Sequence, residues 1–174
     1  MTTEYKGTSE LALLADGLPV RARVGFTLLA ADIALQHLQR SPDFHLARKT
    51  LTFALNWQKG ARVDLDKWEG MLDDEETGLA WAEVRAQARS KEESLAWCVL
   101  TDAIYYAAYH AFRAANRPLS GMFDNLDEDV LDSLDRDLRA LAPSSIMLMP
   151  RAAAYLRQHP EISFARLKAQ MSKA

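Results

Sequence analysis

The chain has 174 residues and a single cysteine, with 49% hydrophobic and 26% charged residues and a formal net charge of -3. This length is typical of one domain, and the composition is too apolar for a disordered chain. One cysteine excludes a disulfide-stapled secreted scaffold, and the sequence has neither a signal-peptide pattern nor an uncharged apolar run of about 18 residues. We therefore expect one cytoplasmic domain, residues 1–174, that does not enter a membrane.

Only seven glycines and six prolines interrupt long stretches rich in Ala and Leu, a composition that favours helices. From Val20 onward, apolar residues recur at steps of three and four, which predicts a helix with one buried stripe ending near Arg40. Similar spacing, together with capping residues and glycines, predicts further helices over residues 9–15, 43–60, 64–72 and 79–88.

The most apolar helix is predicted over residues 91–115. Ser90 is followed three residues later by Glu93, which is the pattern of a capping box. Because this helix is apolar around most of its circumference, we expect it at the centre of a bundle. Further helices are predicted over residues 127–142, 144–158 (with Pro150 as a kink or break) and 161–171. No strand alternation is evident, so the sequence predicts an all-α, single-domain bundle of about seven to nine helices.

Motifs for enzymatic chemistry are missing from the sequence. It contains no phosphate-binding loop, no His-Glu-x-x-His pair and no Glu-x-x-His pattern of a di-iron bundle. Cys98 lies in the middle of a helix, where cysteine usually behaves as a small buried hydrophobe. The sequence therefore offers no metal-binding motif and no evident catalytic residue.

Two acids, Asp32 and Asp102, interrupt apolar stretches. A buried carboxylate must be paired or hydrogen-bonded. Asp102 also shares a helical ridge with Tyr106 and His110. We interpret these four residues as a buried polar network. The alternative is a small ligand-binding or catalytic site that uses Asp32, Asp102 and His110.

Acidic residues are concentrated in two segments, since 14 of the 24 acids lie in residues 64–76 and 124–137 beside only two bases. Such runs are most often solvated faces, but Glu128, Asp132 and Asp135 would form a continuous ridge whose like charges slightly destabilise a helix. Attraction to a basic partner would explain that ridge, whereas nucleic acid would be repelled. The predicted partner-binding residues are Trp68, Asp73, Asp74, Glu75, Glu76, Glu128, Asp132 and Asp135.

Trp57, Trp68, Trp81 and Trp97 lie on four successive helical segments and are expected in a shared core. Because Trp68 and Trp81 flank the acidic residues 73–76, either of them is also a candidate for an interface.

Residues 18–26 (LPVRARVGF), which lead into Asp32, resemble the opening helix of a helical immunity-protein family of bacterial polymorphic toxin systems, the sixth catalogued. They are also similar to a related helical family of unknown function. Residues 96–103 (AWCVLTDA) resemble a later apolar helix of both families, and the resemblance extends over about residues 18–142.

The resemblance implies a cytosolic antidote that binds and blocks a co-encoded toxin and needs no cofactor of its own. Our first hypothesis is therefore an immunity protein that binds a basic toxin surface through its acidic residues. A ligand-binding or enzymatic bundle and a dimeric helical regulator or scaffold remain alternatives, and the sequence does not predict the oligomeric state.

Overall fold

The computed structural model describes residues 9–118, 121–123, 126 and 129–173, and those residues contain helices and no strand. The prediction of an all-α fold is confirmed. Within the described residues there are nine α-helices: α1 (Glu10–Ala15), α2 (Val20–His37), α3 (Phe44–Gln58), α4 (Leu65–Asp73), α5 (Leu79–Gln87), α6 (Lys91–Ala114), α7 (Asp129–Leu141), α8 (Leu148–Gln158) and α9 (Phe164–Met171).

Short polar side chains begin several of these helices. Ser9, Asp64 and Ser90 accept hydrogen bonds from backbone N–H groups in the first turns of α1, α4 and α6. At α6 this is the predicted bond, from the N–H of Glu93 to the Ser90 hydroxyl at 3.1 Å. The Glu93 carboxylate pairs with Arg89 at 2.8 Å. Each cap satisfies a donor that a helix terminus would otherwise leave open.

Two long helices, α2 and α6, pack against each other and against most of the remaining helices. From Val24 to Ala34, every residue of α2 except Asp32 is buried. The prediction of a single buried stripe on α2 is therefore wrong. Helices α3, α6, α7, α8 and α9 all contact α2, so it needs apolar residues all round.

Helix α8 lies against α1 and α2, α9 lies against α8 and α2, and both join the same core. Their buried residues, including Met149, Leu156 and Phe164, belong to one apolar cluster that extends from Leu11 to Met171. Pro150 neither kinks nor breaks α8, because it lies in the first turn, where a missing N–H costs no helical hydrogen bond. None of the helices in the described ranges is both long and apolar enough to cross a membrane.

Candidate partner-binding surface

The residues Asp73–Glu76, which run from the last residue of α4 into its connection with α5, are here called the acidic turn. The Asp74 carboxylate accepts hydrogen bonds from the N–H of Glu76 at 3.1 Å, the N–H of Thr77 at 2.6 Å and the Thr77 hydroxyl at 2.7 Å. The bonds from Thr77, and then the one from Glu76, hold the pKa of Asp74 below its usual value. Asp74 therefore shapes the turn and stays ionised.

Two further contacts anchor the acidic turn. A Cβ atom at Gly78 would lie 2.5 Å from the carbonyl oxygen of Asp74, so the chain approaches itself there as only glycine allows. Arg85 donates to the carbonyl oxygen of Glu76 at 2.9 Å and pairs with Asp43 at 2.9 Å. The turn is thus tied to α5 and to the start of α3.

The other acids of this turn point into solvent. Asp73, Glu75 and Glu76 are all exposed. Among the described residues, no Lys or Arg side chain forms an ion pair with any of these three carboxylates. The acidic turn therefore presents negative charge that no cation in the described part of the chain neutralises by an ion pair.

The second acidic segment has a different role. Asp135 is only 8% exposed and pairs with Arg139 at 2.9 Å, and Arg139 also pairs with Glu10 of α1. Asp132 accepts a hydrogen bond from the N–H of Ser9 at 2.9 Å. These contacts join α7 to α1, and Asp135 is too buried to be the exposed partner-binding residue that was predicted, whereas Asp132 is half-buried. Glu128 lies outside the described residues.

The structure also distinguishes the two tryptophans that flank the acidic turn. Trp68 is completely buried, with its ring centroid 6.2 Å from that of Phe53, so its prediction as a partner contact is corrected. Trp57 and Trp97 are likewise in the core. Trp81 is 46% exposed, on the outer face of α5.

Carboxylates from α5 and α7 approach Asp102 of α6. Asp102 is largely buried, and burial is the main cause that raises its pKa to about 7. The charges of Glu83 and Asp137 act in the same direction, whereas Ser133 and Arg136 oppose it. Among the described residues, Asp102 Oδ2 has no hydrogen-bond partner. Asp102 is therefore a carboxyl whose charge the fold compensates poorly.

Tyr105 and Cys98, on the same helix as Asp102, also lie near the charge of Glu83. Burial, and then the charge of Asp73 and Glu83, raises the pKa of Tyr105 to about 12. Burial and the charge of Glu83 raise the pKa of Cys98 to about 12, which makes this thiol a poor nucleophile. One side of α6 thus lies in the negative field of the acidic turn, α5 and α7.

The predicted polar network is not a single cluster. Asp32 pairs with Lys168 of α9 at 2.7 Å, away from the groups that surround Asp102. His110 does contact Tyr106, with ring centroids 4.6 Å apart. Burial, and then the charges of Arg23 and Arg113, lower the pKa of His110 to about 4. Within the described part of the chain, no contact joins Asp32, Asp102 and His110 into one site, so that grouping is corrected.

An open depression of about 410 Å³ lies beside the acidic turn, between α3, α4 and α5. Its lining includes His45, Lys49, Met71, Glu76 and Arg85, and none of the three residues of the alternative ligand site. No group of three or more His, Cys, Asp or Glu side chains in the described ranges is arranged to hold a metal ion.

The model of one protein family, immunity protein Imm6, matches residues 22–141, which is more than half of the chain. The chain belongs to this family. It is an Imm6 immunity protein of a polymorphic toxin system, which confirms the predicted resemblance. No curated protein and no solved structure matches the chain. The region that matches the Imm6 family contains α3 to α7 and nearly all of α2, and therefore includes the acidic turn and the exposed face of α5.

Proposed function

We propose that this Imm6 protein acts in the cytoplasm and neutralises a co-encoded toxin by binding a basic surface of it through the acidic turn. The observation that carries the proposal is that Asp73, Glu75 and Glu76 extend from an anchored turn into solvent without a cationic partner in the described residues. Neutralisation by binding requires no cofactor and no catalytic group from this chain.

The order of the acidic turn supports direct binding. Association costs free energy when a flexible loop must be fixed, and a turn already held by Asp74, Gly78 and Arg85 reduces that cost. Exposed carboxylates also attract a basic partner at long range and accelerate its association. We therefore expect binding that is fast and weakens as ionic strength rises.

The charge pattern favours a protein partner over nucleic acid. A phosphate backbone would be repelled by the acidic turn, whereas Lys and Arg side chains of a toxin would compensate it. The acids of α7 contribute less to this surface than the sequence suggests, because Asp135 and Asp137 already pair with Arg139 and Arg136.

Charge reversal of the acidic turn tests the proposal. The probe is the purified toxin domain encoded beside this gene, and the measurement is the Kd for the variant E75K/E76K at two ionic strengths. The matched control is D16K/E161K, which reverses two exposed acids outside the turn and changes the net charge equally. We expect E75K/E76K to weaken binding on the order of tenfold or more and to reduce its salt dependence.

The two variants separate a local contact from a general charge effect. Both should keep the thermal midpoint of the wild type, because all four side chains are exposed. Equal affinity losses in the two variants, or no loss in either, would show that the acidic turn is not the toxin-binding surface.

A further inference from the structure

Helix α5 has an apolar outer face that the rest of the described chain leaves about half exposed. Its inner face buries Leu79, Ala82 and Ala86. On the outer face, Trp81 is 46% and Val84 is 50% exposed, and they lie three residues apart, so they are neighbours on the helix surface. The small exposed residues Ala80 and Ala88 extend this face at both ends. These four residues are here called the α5 stripe.

Among the described residues, three other large apolar side chains are exposed. Leu13, Val20 and Met147 are 62%, 43% and 70% exposed, but they lie on three different elements. Single exposed apolar residues are normal on protein surfaces. A half-exposed tryptophan beside a half-exposed valine is different, because buried tryptophans carry a large share of the binding energy in protein interfaces.

The charges around the α5 stripe indicate the chemistry of its partner. The acidic turn immediately precedes the helix, and its exposed carboxylates have no cationic partner among the described residues. At the other end of the helix, Arg85 and Arg89 are already paired with Asp43, and Arg89 also with Glu93. Lys91, at the start of α6, is exposed beyond these arginines, so the uncompensated charge is negative at the start of the stripe, beside the acidic turn.

We propose that the α5 stripe is the apolar centre of the toxin contact and receives a toxin segment in which Arg or Lys residues flank an apolar side chain. The inference rests on the proposed function and adds the position of the main contact. An apolar side chain would cover Trp81 and Val84, while the flanking cations would reach the acidic turn or lie on the exposed indole ring. A second copy of this chain fits less well, because it would bring the same uncompensated carboxylates.

Truncation of the stripe, compared with truncation of more exposed apolar residues elsewhere, tests the inference. The variants are W81A and V84A, the controls are L13A and M147A, and the probe is the purified toxin domain encoded beside the gene. We expect W81A to raise the Kd on the order of tenfold or more and V84A several-fold, with less than about a twofold change for either control. The more exposed controls should keep the wild-type thermal midpoint, whereas W81A and V84A should remain folded with a modestly lower one, since about half of each side chain is packed against the fold. If W81A does not fold, V84A still decides the result.

The outcomes separate this inference from the proposed function. If the wild type binds the toxin, E75K/E76K is impaired and W81A and V84A match the controls, the inference is wrong and the proposed function stands. If the wild type does not bind the toxin at all, both are wrong. If light scattering shows a wild-type dimer that W81A converts to a monomer, the stripe is a self-association surface and the inference is overturned.

Discussion

Replacement of Asp102 by Asn should stabilise the protein above neutral pH. The carboxyl is largely buried, its Oδ2 atom has no hydrogen-bond partner among the described residues, and Glu83 and Asp137 repel its charge. An amide has nearly the same shape and still accepts a hydrogen bond, so the substitution removes the charge without opening a cavity. The main effect of the substitution is therefore that residue 102 can no longer ionise.

The size of the effect follows from the pKa of Asp102, which is about 7 in the folded protein and has an ordinary value of 3.8 in an unfolded chain. Each pH unit between these values is worth about 1.4 kcal/mol, so ionisation costs the folded state up to about 4 kcal/mol. Because the folded pKa is the higher one, the folded state holds the proton more tightly. The stabilisation is complete below about pH 4 and is lost as the pH rises through 7.

Urea unfolding at about pH 4.5, 6 and 8, followed by circular dichroism, measures this difference. D102N should match the wild type within about 1 kcal/mol at the lowest pH and exceed it by about 2–4 kcal/mol at the highest. The control D32N removes the partner of Lys168 and should cost about 0–1 kcal/mol. If D102N destabilises the protein equally at every pH, or leaves its pH dependence unchanged, Asp102 is not the poorly compensated charge described here.

Two glycines and one helix cap give further predictions, all measured by the free energy of unfolding. G78A should destabilise the protein by about 1–3 kcal/mol, because the added Cβ meets the carbonyl oxygen of Asp74, and should also weaken toxin binding through the acidic turn. G70A should stabilise α4 by about 0.5–1 kcal/mol, since nothing lies within 4 Å of its Cβ position. If G78A and G70A changed the free energy of unfolding in the same direction, the packing described around these two glycines would be wrong. S90A removes the cap of α6 and should cost about 1 kcal/mol, whereas S90D should retain most of the stability, and equal losses would exclude the capping bond as the cause.

Local chemistry explains which features were predictable. The bond from the N–H of Glu93 to Ser90 depends on residues three positions apart, so the start of α6 could be inferred directly. The all-α fold follows from helix-favouring composition and spacing. The effect of Pro150 on α8 was harder to predict from the sequence. Proline is tolerated in the first turn of a helix but kinks or breaks the middle of one, and only the start of α8 at Leu148 shows which case applies.

The sequence by itself determined the helical fold, most helix boundaries and the Imm6 resemblance, because capping and apolar spacing act between near neighbours. Only the tertiary structure decided which charged and aromatic residues remain available to a partner. Asp132 meets Ser9, and Asp32 meets Lys168, across most of the chain length. Trp68 and Trp81 flank the same acidic turn, yet packing against Phe53 buries the first and leaves the second at the surface. Such outcomes depend on which helices pack together, and no spacing within one helix encodes that choice.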